Sequence, residues 1–143
     1  MIDDVILNKT SSIVRCFHRV EEDFDEEFET NYTKQDAVTL NIQRAIQQTI
    51  DLGAYLVKKY KLGIPKTTKD IFIFLTQKGI ISKNLSNNLQ KMVGFRNIAI
   101  HEYTELKIEV LEEIIKNHLF DVINFKNEVL EWEEQTNVKI YKK

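Results

Sequence analysis

The sequence is poor in residues that interrupt or cross-link a chain. One proline and four glycines among 143 residues leave few places for the tight turns that β-hairpins require. A single cysteine, Cys16, excludes an internal disulfide bond. No apolar run approaches the roughly 18 residues of a membrane-spanning helix, and no basic and then apolar leader is present. We therefore expect a soluble, cytoplasmic protein with no membrane partner.

The signatures of several enzyme classes are missing as well. Cysteines cannot pair as metal ligands, and no two histidines stand three or four residues apart, the spacing at which a helix presents both to one metal ion. A glycine-rich phosphate loop and a Ser-His-Asp arrangement are also absent. We therefore expect no metal site.

Apolar residues instead recur every three or four positions through most of the chain, which is the spacing of one helix face. This pattern predicts an all-α fold, an up-and-down bundle of four main helices plus a short extra helix. The last main helix is expected to run unbroken from residues 104–108 to Val129. We expect one domain over residues 1–132 and a loosely ordered, charged tail over residues 133–143. Cys16 lies on the first apolar stripe, so a buried structural role is expected.

Local signals predict where the helices begin and end. The second helix is expected to start at Thr33, with Asp36 completing a variant capping box. Gly53 lies on the apolar stripe of that helix and indicates close contact with a neighbour. A short third helix is expected to be capped by Thr67 or Thr68 and to stop at Gly79.

The net charge of −2 conceals blocks of opposite sign. Residues 1–32 carry nine acids and three bases, residues 33–57 balance, and residues 97–143 carry ten acids and six bases. Residues 58–96 carry nine bases and one acid, a local charge of +8. This block is either a surface that attracts a polyanion or a solvated lysine-rich face, because a polyanion responds to the nearby field.

The +8 block ends on the most informative segment of the chain, in which Arg96, His101 and Tyr103 fall within eight residues. Ser82 is expected to cap the helix that carries this segment. Arg96 continues the apolar stripe of that helix, where a charge is costly unless it is paired or lines a cleft. Its position therefore favours an ion pair, an interface or a ligand site.

The helical positions of Arg96 and His101 differ by about 140°, so a straight helix separates them. Either the chain leaves helical geometry near residues 100–103, or the two side chains of one site come from different subunits.

A metal-independent ribonuclease needs a base, an acid and a cation at the phosphate. His18 is expected to be solvated, and His118 to be a core or interface residue. Two copies of His101 across a twofold axis would supply both proton carriers, so the site predicts a homodimer.

The spacing of Arg96, His101 and Tyr103, with Asn97 directly after the arginine, resembles the motif of HEPN-domain ribonuclease toxins of the HepT group. The resemblance extends over roughly residues 1–130 and includes four further segments, residues 32–36, 40–45, 61–65 and 92–97.

The resemblance implies a dimeric HEPN helical bundle that cuts RNA without a metal, as the toxin of a toxin–antitoxin pair. Arg96 and His101 would be catalytic and Asn97 supporting. The implied partner is an MntA-type nucleotidyltransferase antitoxin, which uses ATP with Mg to transfer AMP units to the motif tyrosine, here Tyr103. RNA cleavage itself would need no cofactor. The added phosphate charge and bulk would then block the RNA site.

Two other functions fit the same residues. In the first, the chain is a non-catalytic HEPN module that binds nucleotide or scaffolds a nucleotidyltransferase complex. In the second, it is a helical adaptor whose Arg96 only forms a salt bridge at an interface. RNA cleavage by the free protein would separate the toxin from both.

Overall fold

The computed structural model describes the backbone of residues 1–101 and 108–141 and the side chains of residues 1–97 and 108–138. Within these ranges the chain forms six α-helices and one short 3-10 helix, and no strand. The predicted all-α bundle is confirmed. The helices are α1 (Asp4–Asp23), α2 (Tyr32–Lys59), α3 (Thr68–Lys78), α4 (Lys83–His101), α5 (Ile108–Asn117) and α6 (Asp121–Tyr141), with the 3-10 helix at Phe28–Thr30.

Helix α2 is the central element, because it packs against α1, α3, α4 and α6. Its apolar stripe is buried along almost its whole length, as the sequence periodicity predicts. Phe72 of α3 and Phe125 of α6 meet edge to face, with ring centroids 6.0 Å apart, and close the core on one side of α2. Cys16 is 5% exposed, and burial raises the pKa of its thiol, so its predicted structural role is confirmed.

The beginning of α1 is joined to the end of α2, which makes these two helices antiparallel. Asp3 caps α1 by accepting a 2.9 Å hydrogen bond from the amide of Ile6. Its other carboxylate oxygen accepts bonds from the Tyr55 hydroxyl and the Lys59 ammonium, both at 2.8 Å. Burial raises the pKa of Asp3, but these hydrogen bonds outweigh it, so the net pKa lies below its ordinary value.

Most of the predicted helix ends are confirmed. Thr67 and Asp70 form a capping box at the start of α3, and Gly79 ends that helix with a φ of +86°. Ser82 accepts a 3.2 Å bond from the amide of Leu85 at the start of α4. The predicted start of α2 at Thr33 is wrong. Asn31 is the cap, because its side-chain oxygen accepts the amide of Lys34 at 3.1 Å.

The last main helix is not continuous. The amides of His118 and Leu119 both donate to the carbonyl of Ile114, at 3.0 and 2.7 Å, and this turn ends α5. Helix α6 begins at Asp121, after a gap of three residues. The sequence pattern does not reveal the break, because Leu119 within it and Val122 just after it are both buried, which preserves the apolar spacing. The start was predicted over residues 104–108, of which the structure describes only Ile108, the first residue of α5.

Helix α6 continues beyond residue 132 as far as Tyr141. A polar contact lies at the start of this segment. Glu133 is 2% exposed, and the Tyr60 hydroxyl donates to its two carboxylate oxygens at 2.7 and 2.8 Å. Burial and this bond raise the pKa of Tyr60 to about 12. The division of the chain into a domain and a tail at residue 132 stays a prediction.

Gly53 lies where α2 crosses α3. A Cβ atom added at Gly53 would stand 2.7 Å from Cγ2 of Ile71, a distance that real Cβ atoms essentially never show. The predicted close helix contact is confirmed, and it depends on the missing side chain.

Gly53→Ala is therefore expected to destabilise the protein. Overpacking of this kind costs about 1–3 kcal/mol, which exceeds the roughly 1 kcal/mol that alanine gains over glycine inside a helix. Ile71 is β-branched and buried, so it has little freedom to move aside. Thermal or urea unfolding of the variant measures the effect. Gly94→Ala in α4 is the matched control, because a Cβ there meets nothing within 4 Å and the midpoint should rise slightly. A rise for both variants would contradict the packing argument.

Candidate functional site

The side chain of Arg96 bridges two helices. It extends from α4 and is partly buried against α2. Its Nη1 donates a 2.6 Å hydrogen bond to Oε1 of Gln47 in α2, and its Nη2 donates a 2.7 Å bond to Oδ1 of Asn97. The structure thus brings together two of the predicted site residues, Arg96 and Asn97, and adds Gln47.

The charge of Arg96 is held by neutral groups. Both acceptors are amide oxygens, and none of the ion pairs found in the described part of the chain involves Arg96. A salt bridge would have cancelled the positive charge, whereas amide acceptors leave it available to an anion. Arg96 therefore has no ion-pair partner among the described side chains, and a salt bridge at an interface with another chain stays an alternative.

The guanidinium also keeps unused donors. It carries five N–H groups, of which two are used by Gln47 and Asn97. Its Nε is buried and finds no acceptor among the side chains and backbone that the structure describes. One N–H group remains on each of Nη1 and Nη2, and such guanidinium donors are chemically suited to an incoming acceptor such as a phosphate oxygen.

Gln47 is in turn held by Asp51, one helical turn further along α2. The amide Nε2 of Gln47 donates a 2.8 Å bond to Oδ1 of Asp51. A chain of polar contacts therefore runs from Asp51 through Gln47 to Arg96. Sequence analysis missed Gln47 and Asp51, because a polar residue beside an apolar stripe is common and nothing in the spacing indicates a contact across helices.

The other predicted site residues are only partly described. Helix α4 extends to His101, so Arg96 and His101 occupy positions about 140° apart on one helix. The side chain of His101 and the whole of Tyr103 lie outside the described residues. The helix does not end before His101, and within one chain it keeps the positions of the two predicted catalytic residues on different sides.

The remaining histidines lie elsewhere. The His18 side chain is 63% exposed and bonds to Glu21 at 3.0 Å, so its predicted solvated position is confirmed. His118 lies in the turn between α5 and α6, its side chain is 40% exposed, and its Nε2 is 3.6 Å from Glu113. His118 was predicted to be a core or interface residue; the core position is not found, because the helix break carries it out of the apolar stripe, and an interface position stays a prediction.

The exposed side of α4 is polar and positive. Lys91 and Asn97 are exposed on it, as are Lys83, Asn84 and Asn87. The helix contains no aspartate or glutamate over its whole length. This arrangement concentrates part of the +8 block on the helix that carries Arg96, which favours approach of a polyanion.

Neither a metal site nor a membrane-spanning helix is found among the described residues. No group of three or more His, Cys, Asp or Glu side chains capable of holding a metal ion occurs in the part of the chain that the structure describes. Over the same residues, no helix has the length and apolar character needed to cross a bilayer.

Comparison with known proteins gives one consistent family. The profile of the family described as ribonuclease HepT-like matches residues 9–129. The chain is 38% identical over 126 residues to the mRNA nuclease HepT of Shewanella oneidensis. The aligned residues cover 87% of this chain and 95% of that protein.

Solved structures agree in fold and in sequence. The tri-AMPylated Shewanella oneidensis HEPN toxin, in complex with MNT antitoxin, superposes with a TM-score of 0.85 at 36% identity and covers 91% of this chain and 99% of that one. A toxin–antitoxin crystal structure with AMP-PNP superposes with a TM-score of 0.83 at 36% identity and covers 90% of this chain and 99% of that one. The HEPN fold predicted from the sequence is confirmed. The match to the family profile, the sequence relative and the shared fold together show that this chain belongs to the HepT-like ribonuclease family.

Proposed function

We propose that this protein is the toxin of a toxin–antitoxin pair and acts in the cytoplasm as an endoribonuclease that needs no metal. The observation that carries the proposal is the Arg96 guanidinium. It extends from α4, a helix without acidic residues, and is held by the amide oxygens of Gln47 and Asn97, in a chain of this family. The relative named mRNA nuclease HepT and the HEPN toxin bound to MNT antitoxin support the same function.

The proposed reaction is an attack of the ribose 2′-hydroxyl on the adjacent phosphorus. A new P–O bond forms, the bond to the 5′-oxygen of the next nucleotide breaks, and that oxygen receives a proton. His101 would carry the protons, since its unperturbed pKa lies near neutrality. Arg96 would stabilise the charge that builds on the phosphate oxygens, and Asn97 supports Arg96.

We further propose that the active site is formed by a homodimer. The positions of Arg96 and His101 differ by about 140° around α4, so one chain presents them to different sides. A twofold axis beside α4 would bring the arginine of one subunit towards the histidine of the other. It would also supply a second histidine, so that one can act as base and the other as acid.

The proposed partner is an MntA-type nucleotidyltransferase that uses ATP and Mg. The phenol oxygen of Tyr103 would attack the α-phosphate of ATP, forming a phosphodiester and releasing pyrophosphate. The bound AMP would then add negative charge close in sequence to Arg96 and His101, where an RNA phosphate has to bind.

RNA cleavage by the purified, unmodified protein tests the ribonuclease proposal. We expect cleavage of a single-stranded RNA in excess EDTA at the rate seen with Mg, because no step uses a metal. Expression without the partner should also arrest growth. Protein that binds the nucleotidyltransferase but leaves RNA intact, with and without metal, would instead identify the non-catalytic HEPN module. Cleavage that EDTA abolishes would overturn the metal-free mechanism alone.

A further inference from the structure

The contact between Gln47 and Arg96 joins a charged side chain on α4 to a neutral one on α2 at 2.6 Å. An arginine side chain has about 2 kcal/mol of rotamer entropy to lose before it can hold a phosphate in one geometry. Asn97 bonds Arg96 within α4 and so moves with it. Gln47 is the described contact that fixes the guanidinium relative to the rest of the bundle.

We propose that Gln47 is a positioning residue for Arg96 and that Asp51 sets the direction of the Gln47 amide. This proposal rests on the proposed ribonuclease function. Gln47 acts through Arg96, which it holds in the orientation needed at the phosphate.

The direction of the amide matters because its two ends differ. The oxygen of Gln47 accepts a hydrogen bond, whereas its nitrogen donates. If the amide were reversed, its NH₂ group would face the guanidinium, donor against donor. Asp51 prevents this, because its carboxylate can only accept and bonds to Nε2 at 2.8 Å. The oxygen is therefore turned towards Arg96.

The neutral charge of Gln47 has a second consequence. A glutamate at this position would bind the guanidinium more strongly, but it would cancel the positive charge that has to meet the phosphate. It would also place a second negative group beside Asp51. Glutamine holds Arg96 and leaves its charge intact. The structure thus assigns two separable properties to Gln47, an acceptor in the right place and the absence of charge.

These properties predict different results for two substitutions. Gln47→Met keeps the length of the side chain and removes the acceptor, so kcat for RNA cleavage should fall by about 10–100-fold with little change in KM, because misplacement of a catalytic group costs that much. Gln47→Glu keeps an acceptor but neutralises Arg96, so KM should also rise. Gln90→Leu is the matched control. Gln90 is half-buried in α4, and the bond that the described residues show for it stays within its own helix, to Ser86 at 3.1 Å.

The test measures three things on the full-length protein: steady-state cleavage, thermal unfolding, and rotation of the Arg96 guanidinium by 15N NMR. Rotation about the Arg96 Cζ–N bonds should be slow in the parent and fast in Gln47→Met. The unfolding midpoint of Gln47→Met should lie within a few degrees of that of the parent. Unchanged rotation, or a parental kcat in both Gln47 variants, would overturn the proposal. If rotation changes as expected but even the parent leaves RNA intact, the ribonuclease function fails while the positioning contact stands.

Discussion

His101→Ala is expected to lower RNA cleavage by about 10²–10⁴-fold, the usual contribution of a general acid or base. Arg96→Ala should lower it by about 10²–10³-fold, since a preorganised cation at the developing phosphate charge is lost. Arg96→Lys should recover little, because an ammonium cannot bond Gln47, Asn97 and a phosphate in the same planar geometry. Single-turnover cleavage of a labelled RNA measures all three variants.

Two substitutions elsewhere in the chain serve as controls for these variants. His18→Ala removes an imidazole that is exposed on α1, and Arg19→Ala removes an exposed guanidinium from the same helix. Both should cleave RNA at the parental rate. His101→Ala with parental activity and toxicity would remove this residue from the mechanism. An equal loss in His18→Ala would show that the effect does not belong to one histidine.

The second large effect concerns the proposed switch, which is the inactivation of the protein by AMP transfer to Tyr103. After co-expression with the partner nucleotidyltransferase, the intact mass of the protein should rise by whole AMP units, and the modified protein should no longer cleave RNA. Tyr103→Phe should keep the unmodified mass, because it lacks the oxygen that attacks ATP. Its cleavage should then persist in the presence of the partner. The solved relative described as tri-AMPylated shows that a toxin of this family carries such groups.

Tyr32→Phe is the matched control for the switch. Tyr32 is 80% exposed at the start of α2, so it offers an accessible phenol away from the motif. The Tyr32→Phe variant should be modified to the same extent as the parent. An unchanged mass for the parent after co-expression would end the proposal of AMP transfer. Loss of modification in Tyr32→Phe, with full modification of Tyr103→Phe, would move the acceptor to Tyr32.

Sequence reasoning succeeded where the signal is local. The cap at Thr67, which was one of two threonines predicted, the stop at Gly79 and the cap at Ser82 each depend on residues within one turn of the helix end. It was wrong about the last main helix, because Leu119 and Val122 keep the apolar spacing across a turn. Periodicity reports which side is buried and does not report whether the helix between two buried positions is continuous.

Burial of a charged residue in the C-terminal segment is a second feature that sequence reasoning did not predict. Glu133 lies in the charged segment after residue 132, yet it is 2% exposed, and the Tyr60 hydroxyl donates to both of its carboxylate oxygens. A glutamate in a charged segment gives no sign of burial until the partner that satisfies it is known.

By itself the sequence determined the helical class of the chain, its charge blocks, and the motif of Arg96, Asn97, His101 and Tyr103, because periodicity, composition and spacing are properties of neighbouring residues. Only the tertiary structure decided what holds Arg96. Gln47 lies 49 residues away in the sequence and Asp51 holds it from the next turn, and packing of α2 against α4 is what brings them to the guanidinium. The sequence supplied the charge of Arg96, and the contact between two helices orients it through neutral acceptors.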